Sequence, residues 1–339
     1  MKFCIYKRTC LYLFIFLILS CQKNKKNSLD KSYENWMQNL IEAYPNSNVT
    51  LKSIMMPAAH DAGMYDLTKC TFGANFCNTA TQLLSFKEQL VQGIRVFDVR
   101  PILIGKSYYA QHSTDCNGLG CRGASMTDIY NDINLFLENH AELVILELSH
   151  FCGITVNDTA FLNFLNNILG DKIYKENELI ESAFVNRSIK EIIGNNGKGK
   201  VLLVFEGISD SMENKSKGKF SPSIFNKNDS WTNSHYLSDL IKSQLENYQN
   251  YQNEVNSLFQ FSWQITQNEI QAISCALNPQ AVSIQQNADS ANNQIISIID
   301  FLIKNNQIRK GRIPNVIYLD FSGKFVMEKC LEVSKLNLE

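Results

Sequence analysis

The sequence lacks the signs of a nucleic-acid-binding protein. Its 339 residues carry a formal net charge of only −1. Lysine and arginine are scattered along the chain and do not form a stripe interleaved with aromatic residues. Binding to a phosphate backbone requires such a basic surface. No nucleic-acid partner is therefore expected.

The cysteine spacing of a zinc site is also missing. The gaps between Cys70 and Cys77 and between Cys116 and Cys121 are both longer than two residues, and no histidine accompanies them at zinc-finger spacing. A structural metal site is therefore not expected. In an oxidising compartment these short gaps predict the disulfides Cys70–Cys77 and Cys116–Cys121. Because the number of remaining cysteines is odd, at least one thiol is expected to be free and buried.

One long apolar run is present, at residues 11–20, and it is too short for a comfortable membrane span. It follows a basic segment and ends at Leu19 and Ser20, directly before Cys21. A basic segment, a short apolar run and a small residue are typical of a secretory signal peptide. The pattern before Cys21 resembles the lipobox of bacterial lipoproteins. We expect residues 1–20 to be removed and Cys21 to be acylated. An uncleaved anchor or an ordinary secreted protein remains the alternative.

This pattern predicts an extracytoplasmic lipoprotein, held to a membrane of the cell envelope through Cys21. Residues 21–31 are polar and predict a flexible tether. No repeat and no second linker rich in Pro, Gly or Ser follows. Hydrophobic residues make up 45% of the chain and charged residues 19%, which is enough for a sizeable core. Residues 32–339 are therefore interpreted as one domain, expected to be monomeric.

Short apolar runs alternate with amphipathic segments. Strands are predicted over residues 51–56, 94–100, 108–112, 142–149, 200–207, 259–265 and 315–321. Helices are predicted over residues 81–92, 126–140, 158–169, 237–255 and 290–306. Nearly continuous hydrophobic strands that alternate with helices indicate a parallel sheet. Seven or eight such strands in one domain favour a (β/α)8 barrel of the TIM type.

Polar side chains occur where these predicted strands end. Since active sites of such barrels gather at the carboxyl ends of the strands, these residues are the candidates for chemistry. They are His60, Asp61, Asp98, Arg100, His112, Glu147, His150, Glu206, Trp263 and Asp320. Two imidazoles and a guanidinium suit the cleavage of a phosphodiester by internal attack. One imidazole accepts a proton, the other donates one, and the guanidinium neutralises the charge that builds on phosphorus.

Four motifs resemble the X domain of the phosphatidylinositol-specific phospholipase C family. They are "IMMPAAHDAG" (54–63), "KEQLVQGIRVFDVRP" (87–101), "FLENHAELVILELSH" (136–150) and "NVIYLDFSG" (315–323). A histidine, His112, ends the short strand between the second and third motifs. The resemblance implies a distorted (β/α)8 barrel and cleavage of phosphatidylinositol to diacylglycerol and an inositol cyclic phosphate.

The resemblance also implies a role for each site residue. His60 is the expected general base on the inositol 2-hydroxyl, His112 the general acid, and Arg100 the residue that stabilises the phosphate. Asp61 is expected to support the general acid, and Asp320 to orient the general base. The third carboxylate, Asp98, is expected to orient the arginine. Calcium-dependent members of the family place an acidic ligand where Arg100 stands here, so neither a metal nor another cofactor is expected.

The chain departs from the family pattern in ways that leave its headgroup open. The family's "PGTHDSG" is "PAAHDAG" here, and "QHST" replaces the usual His-Gly pair after the third strand. The basic residues with which bacterial members bind inositol are missing from the expected strand ends. Glu147, His150 and Glu206 stand there as candidate substrate-binding residues. Trp263 could stack on a sugar ring or belong to the core.

We interpret the protein as a metal-independent phosphodiesterase that acts on a membrane phospholipid. Two alternatives remain at this point. One is a glycerophosphodiester phosphodiesterase that uses a divalent ion. The other is a catalytically silent lipoprotein that binds lipid headgroups.

Overall fold

Ten strands divide between two sheets of opposite kind in the computed structural model, which describes residues 32–176, 182–278 and 280–339. The signal peptide, lipidation site and tether predicted for residues 1–31 lie outside these residues. The strands are β1 (Met56–Ala59), β2 (Lys69–Cys70), β3 (Val96–Val99), β4 (Pro101–Ile104), β5 (Ser107–Ser113), β6 (Gly120–Ser125), β7 (Leu143–Leu148), β8 (Lys200–Phe205), β9 (Gln260–Trp263) and β10 (Val316–Leu319).

The larger sheet has six parallel strands in the order β8-β7-β3-β1-β10-β9. Between its two outer strands lies a segment that pairs with each of them at one residue. Phe220 forms a parallel bridge with Val204 of β8, and Asn228 forms one with Phe259 beside β9. Six strands and two single-residue bridges therefore occupy the positions of eight barrel strands. The predicted distorted (β/α)8 barrel is confirmed.

The smaller sheet is antiparallel, in the order β2-β6-β5-β4. The strand predicted over residues 108–112 exists as β5, but it belongs to this sheet and not to the barrel. The reason is its connection, because only two residues, Gly105 and Lys106, separate β4 from β5. A turn of two residues can join only antiparallel strands.

The first barrel strand lies further along the chain than the hydrophobic run predicted. Residues Leu51–Ser53 form a 3-10 turn in which Ser53 and Thr50 cap each other, and β1 begins only at Met56. The reciprocal hydrogen bonds of this capping box stabilise a helical turn where the apolar run suggested a strand.

Helices surround the barrel. They are α1 (Trp36–Ala43), α2 (Phe76–Thr79), α3 (Phe86–Val91), α4 (Met126–Asn139), α5 (Thr159–Leu169), α6 (Ile189–Ile193), α7 (Leu237–Asn250), α8 (Glu269–Leu277), α9 (Ile284–Lys304) and α10 (Met327–Leu338). Each of the five predicted helices overlaps one of these. The helix predicted over 81–92 is shorter, because Ser85 caps α3 through a reciprocal bond with Glu88. Within the described ranges, no helix combines the length and hydropathy needed to cross a bilayer.

Three disulfides join distant segments: Cys70–Cys121, Cys77–Cys275 and Cys116–Cys152. The predicted pairs Cys70–Cys77 and Cys116–Cys121 are therefore wrong. Cys70 and Cys121 lie opposite each other where β2 pairs with β6. Proximity in the fold decided the pairing, and proximity in the sequence did not. Among the described cysteines, Cys330 is free and buried, as the odd number predicted.

Candidate active site

A cavity of about 610 Å³ opens at the carboxyl ends of the barrel strands. Ten residues were predicted for the site, and nine of them line this cavity or contact its wall. Those nine are His60, Asp61, Asp98, Arg100, His112, Glu147, His150, Glu206 and Asp320. The tenth, Trp263, does not. Because the strands are parallel, their ends converge there and bring together residues that are up to 260 positions apart in the chain.

The chain turns sharply at the end of β1, and this turn aims two side chains at the cavity. Asp61 adopts a φ of 42°, in the left-handed region that Asp tolerates better than most residues. Its backbone N–H donates to Asp98 Oδ2 at 3.3 Å. The Gln82 side chain donates to the carbonyl of His60 at 2.8 Å. The imidazole and the neighbouring carboxylate are therefore held by backbone contacts on both sides.

Small residues after this turn let the antiparallel sheet approach it. A Cβ atom on Gly63 would lie 2.4 Å from the Cβ atom of Ala110 in β5. A Cβ atom on Gly123 in β6 would lie 2.5 Å from the carbonyl oxygen of Gly63. Only glycine fits at these two positions without displacement of a strand. This close packing brings His112, on β5, to the same cavity as His60, with 6.4 Å between the ring centroids.

Arg100 lies at the centre of a charged network. Its Nε is 2.6 Å from Asp61 Oδ1 and 3.4 Å from Asp98 Oδ2, and its Nη2 is 2.8 Å from His60 Nε2. Ser149 donates a hydrogen bond of 2.7 Å to the other oxygen of Asp98. Burial alone would raise the pKa of Asp98, but the guanidinium, His60 and the hydrogen bonds from Ser149 and the Asp61 N–H together lower this pKa to about 2. Burial disfavours the charge of Arg100 too, yet Asp61 and Asp98 raise its pKa above the ordinary value.

The two histidines have different partners. His60 Nδ1 is 2.7 Å from Asp320 Oδ1, so a proton on Nδ1 is held by a carboxylate. His112 Nδ1 is 3.0 Å from the carbonyl oxygen of Thr79 and 3.8 Å from Asp61 Oδ2. A carbonyl accepts a hydrogen bond only from a protonated nitrogen. The second nitrogen, Nε2, is then the one that exchanges a proton with a ligand in the cavity.

These partners shift the two imidazole pKa values in opposite directions. Burial lowers the pKa of His60, but the carboxylates of Asp61 and Asp320 outweigh it and raise the pKa above 6.5. Burial also lowers the pKa of His112, and Asp61 offsets it only in part. The guanidinium of Arg100 lowers both values. The cavity therefore holds one imidazole that binds a proton readily and one that releases it readily.

A partly buried ion pair that the sequence did not predict lies elsewhere in the cavity. Lys227 Nζ is 2.8 and 3.0 Å from the two oxygens of Glu147 and 3.1 Å from the Gln260 side chain. Burial would lower the pKa of this lysine, but the carboxylates of Glu147, Asp229 and Asp98 together outweigh burial and raise the pKa. The lysine lies in a long polar loop and beside one of the two barrel-closing bridges. No local sequence signal places such a residue in a barrel.

His150 and Glu206 lie nearer to solvent. Both side chains are more than half exposed, and His150 Nδ1 is 3.6 Å from Glu206 Oε2. The same nitrogen is 2.9 Å from the hydroxyl of Ser149, which also bonds Asp98. These two candidate substrate-binding residues therefore line the cavity at its open side.

The prediction that Trp263 binds substrate is wrong. It is 1% exposed, and its indole nitrogen donates to the carbonyl of Ala291 in α9, so it belongs to the core. The cavity is instead lined by Trp231, which is 58% exposed, and by Tyr318, whose ring centroid is 5.5 Å from that of His60. Trp231 lies, like Lys227, in the segment between β8 and α7.

The donor set around Arg100 also bears on metal binding. One ligand atom each from His60, Asp61 and Asp98 can be chosen so that all lie within 4.8 Å of one another. The guanidinium contacts both of these carboxylates and the imidazole. A divalent ion bound to this set would have to displace a cation that the protein itself supplies.

The comparisons with known proteins agree with this architecture, although no protein-family model matches the chain. PI-PLC X domain-containing protein 3 of Mus musculus is 27% identical over 175 residues, which are 44% of this chain and 51% of that protein. The Danio rerio protein of the same name is 24% identical over 168 residues, 42% of this chain and 49% of that protein. The chain thus spans about half the length of the curated relatives it matches.

Among solved structures, the phosphatidylinositol-specific phospholipase C from Listeria monocytogenes superimposes with a TM-score of 0.64 at 19% identity. The match covers 89% of this chain and 99% of that one. A variant of the Staphylococcus aureus enzyme gives a TM-score of 0.60 at 16% identity, over 92% and 99% of the two chains. The predicted resemblance to the phosphatidylinositol-specific phospholipase C family is confirmed, in sequence by the X-domain proteins and in fold by the bacterial structures.

Proposed function

We propose that the protein is a phosphodiesterase of the phospholipase C type, which cleaves phosphatidylinositol-type lipids without a metal ion. The observation that carries this proposal is the convergence of His60, His112 and Arg100 on one cavity, with acidic residues against each of them. The names of the similar proteins support a lipid headgroup as the substrate.

The proposed reaction is an internal phosphoryl transfer. His60 Nε2 takes the proton of the inositol 2-hydroxyl, whose oxygen forms a new bond to phosphorus. The bond from phosphorus to the diacylglycerol oxygen breaks, and His112 donates a proton to that oxygen. The products are an inositol cyclic phosphate and diacylglycerol.

Arg100 has a double role in this proposal. In the free protein its Nη2 lies against His60 Nε2, the nitrogen that must accept the proton. A bound phosphate oxygen offers the guanidinium a charged acceptor. A shift toward it both releases the imidazole and stabilises the charge that develops on phosphorus.

The Lys227–Glu147 pair supports a polyhydroxylated headgroup as the ligand. Its ammonium and carboxylate, together with Gln260, provide donors and acceptors within the cavity that bears the two histidines. A hydroxylated ring can bond to such groups at both its donors and its acceptors. The basic residue missing from the strand ends would then be supplied by the loop.

A panel of lipids with different headgroups, assayed with and without a chelator, tests the proposal. We expect cleavage of phosphatidylinositol in the presence of the chelator, and a loss of at least about 10³-fold in His60→Ala and His112→Ala. His140→Ala is the matched control, because His140 stacks on Phe136 away from the cavity.

Two other results would replace the proposal. Activity that disappears with the chelator and returns with a divalent ion would favour a metal-dependent glycerophosphodiester phosphodiesterase, which the cluster of His60, Asp61 and Asp98 could serve. Binding of phosphatidylinositol without any product would indicate a catalytically silent headgroup-binding protein.

We also propose that the protein is an extracytoplasmic, monomeric lipoprotein acylated on Cys21. The three disulfides support an oxidising compartment. Metabolic labelling with a radioactive fatty acid should mark the wild-type chain and not Cys21→Ala. Equal labelling of both would contradict acylation at this residue, and sedimentation as a dimer would contradict the monomer.

A further inference from the structure

A short segment, residues 79–82, contacts the parts of the chain that carry the proposed chemistry, although none of its residues was predicted for the site. It starts at the last residue of α2 and has no regular secondary structure beyond that residue. Its polar side chains, Thr79, Thr81 and Gln82, are all buried. Buried polar groups outside helices and sheets need specific hydrogen-bond partners. The partners of this segment therefore show what it holds in place.

The two threonines bind three segments of the active site. The carbonyl oxygen of Thr79 is 3.0 Å from Nδ1 of His112 in β5. The Thr81 hydroxyl donates to the carbonyl of Asp61 at 3.0 Å, in the turn after β1. The carbonyl of Thr81 accepts the N–H of Phe321 at 2.7 Å, in the turn after β10. The segment thus connects the carrier of the proposed acid with both turns that carry the proposed base and its carboxylate.

Strands β1 and β10 stop pairing just where these two turns begin. Their last paired residues are Ala59 and Leu319, and the N–H of His60 donates one further bond to the carbonyl of Leu319 at 3.0 Å. Asp61 and Phe321 then adopt left-handed φ values of 42° and 50°. Because both chains turn there, the parallel ladder does not continue into the active site.

The Gln82 side chain takes the place of the missing ladder. Its Nε2 donates to the carbonyl oxygens of His60 at 2.8 Å and Leu319 at 3.3 Å. Its Oε1 accepts the N–H of Ser322 at 3.0 Å. A side-chain amide carries the same kinds of donor and acceptor as a peptide group. Gln82 therefore joins the two turns in the way that a peptide group joins two strands.

The pair of side chains that depends on this junction is His60 and Asp320. Nδ1 of the imidazole is 2.7 Å from Oδ1 of the carboxylate, and each residue lies on one of the two turns. A hydrogen bond weakens steeply when its angle departs from linear, so a small relative shift of the turns would disturb it. Gln82 itself is fully buried. It can therefore influence a ligand only through the residues that it holds.

We propose that Gln82 is a positioning residue, which aligns the base His60 with Asp320 by bridging the turns that carry them. Groups behind a catalytic side chain fix its orientation in this manner. The proposal rests on the proposed function for the role of His60 as the base. The alignment itself can be observed without turnover, since the hydrogen bond exists in the free protein.

Proton NMR of the full chain tests the alignment directly. An imidazole N–H held by a carboxylate gives a resonance far downfield of other N–H signals, and its absence from His60→Ala and Asp320→Asn assigns it. We expect Gln82→Met, which has a similar length but no amide, to weaken or abolish this resonance. Gln82→Asn is the second variant. It keeps a buried amide and so favours folding, but it is one methylene too short to reach both turns, and the same loss is expected.

Gln244 provides the matched control, because it is also fully buried and also makes three hydrogen bonds. Its Nε2 donates to the Ser230 carbonyl and the Thr232 hydroxyl, and its Oε1 accepts the N–H of Ser262. Gln244→Met loses as many bonds as Gln82→Met. It should lower the unfolding temperature to a similar degree and leave the downfield resonance in place.

A double-mutant cycle gives the second readout. Gln82→Met should lower kcat for phosphatidylinositol about tenfold with little change in KM, as is typical when a residue that orients a functional side chain is lost. In an Asp320→Asn background the same substitution should cost less than about twofold, because the pair that Gln82 aligns is already broken.

Three results would overturn the proposal. The first is a downfield resonance that persists in both Gln82 variants. The second is its loss from Gln244→Met as well, which would indicate general loosening of the fold. The third is a further tenfold loss of kcat in the Asp320→Asn background, which would mean that Gln82 acts elsewhere. If no lipid is cleaved at all, the proposed function fails, and the resonance still decides the role of Gln82.

Discussion

An arginine lies at each end of strand β3, and the protein uses the two in different ways. Arg95, at the amino end, is fully buried, and its Nε donates to Glu142 Oε2 at 2.8 Å. Its remaining N–H groups donate to the carbonyl oxygens of Leu90, Ile94, Tyr33 and Glu34. Every donor of this guanidinium is occupied within the protein, so it has none to offer a ligand.

Arg100, at the carboxyl end, is held by side chains that themselves face the cavity. Its side chain remains 16% exposed there, and its partners are two carboxylates and an imidazole. The comparison shows that the residue at the amino end of this strand serves stability and the residue at the carboxyl end serves chemistry, as is general for barrels of this type. At the amino end, the guanidinium of Arg95 forms hydrogen bonds only within the protein. At the carboxyl end, the guanidinium of Arg100 faces the cavity and can bind a phosphate.

The largest effect is expected at Arg100. Arg100→Lys keeps the charge but loses the planar fork that fits a phosphate, and Arg100→Met loses both. We expect kcat/KM for phosphatidylinositol to fall by about 10³-fold or more in each variant, since a single preorganised donor contributes that order of stabilisation. Thermal unfolding measured in parallel should show little loss of stability in Arg100→Lys, which keeps a cation beside the buried carboxylates of Asp61 and Asp98. Arg100→Met removes that cation and should lower stability as well. A variant that unfolds but keeps its activity would reverse the roles assigned to the two arginines.

Arg95 should give the opposite result. Arg95→Met leaves Glu142 buried without its charged partner, and breaking such a pair costs about 3–5 kcal/mol. Urea denaturation should show this loss in the free energy of unfolding, while kcat per folded molecule stays near the wild-type value. Arg95→Met with Glu142→Gln should recover part of the stability, because no unpaired charge is then buried. No recovery would mean that packing, and not charge, makes Arg95 important.

The residues at the barrel ends could be predicted because local sequence determines them. His60, Arg100 and Asp320 each follow a short hydrophobic strand, and parallel topology brings the ends of such strands together. His112 reached the same cavity by another route, through an antiparallel hairpin that packs against Gly63. Its place in the site was predicted because it ends the strand predicted over residues 108–112, but the sheet that carries this strand was not predicted.

The sequence analysis was wrong about Trp263, whose orientation depends on the alternation of side chains along a strand. It missed Lys227, whose position depends on how distant segments close the barrel. In β9, Gln260 and Ser262 line the cavity, so Trp263 must point to the other face and into the core. This alternation was visible in "FQFSWQI", and it could have excluded the tryptophan. Lys227 gave no comparable signal, because its place depends on how a loop closes the barrel. The disulfides likewise depend on contacts between distant segments.

A smaller effect should come from the carboxylate on His60. The base must be neutral and the acid protonated, but the pKa of His60 is raised and that of His112 is lowered. Activity then falls at low pH, where both are protonated, and at high pH, where both are neutral. The alkaline limb of kcat/KM follows His60. Asp320→Asn removes one cause of the raised pKa, so this limb should move to lower pH, with a loss of about 10² in rate.

The matched control for this profile is Glu206→Gln, because Glu206 is largely exposed and contacts His150, which has no part in the proposed proton transfers. It should leave both limbs in place. Movement of the acid limb in Asp320→Asn would mean that the two imidazoles titrate in the reverse order.

The smallest effect is expected at the outer part of the cavity, where the side chains are exposed, in contrast to the fully buried guanidinium of Arg95. Trp231 is exposed and lines the cavity, and its indole N–H already donates to Thr266. Contact of its ring with a headgroup is worth about 1 kcal/mol, so Trp231→Ala should raise KM by roughly fivefold and leave kcat unchanged. Trp263→Ala should instead lower the unfolding temperature, because that ring fills the core. If KM responded to Trp263 and not to Trp231, the substrate would have to enter the barrel from a different side.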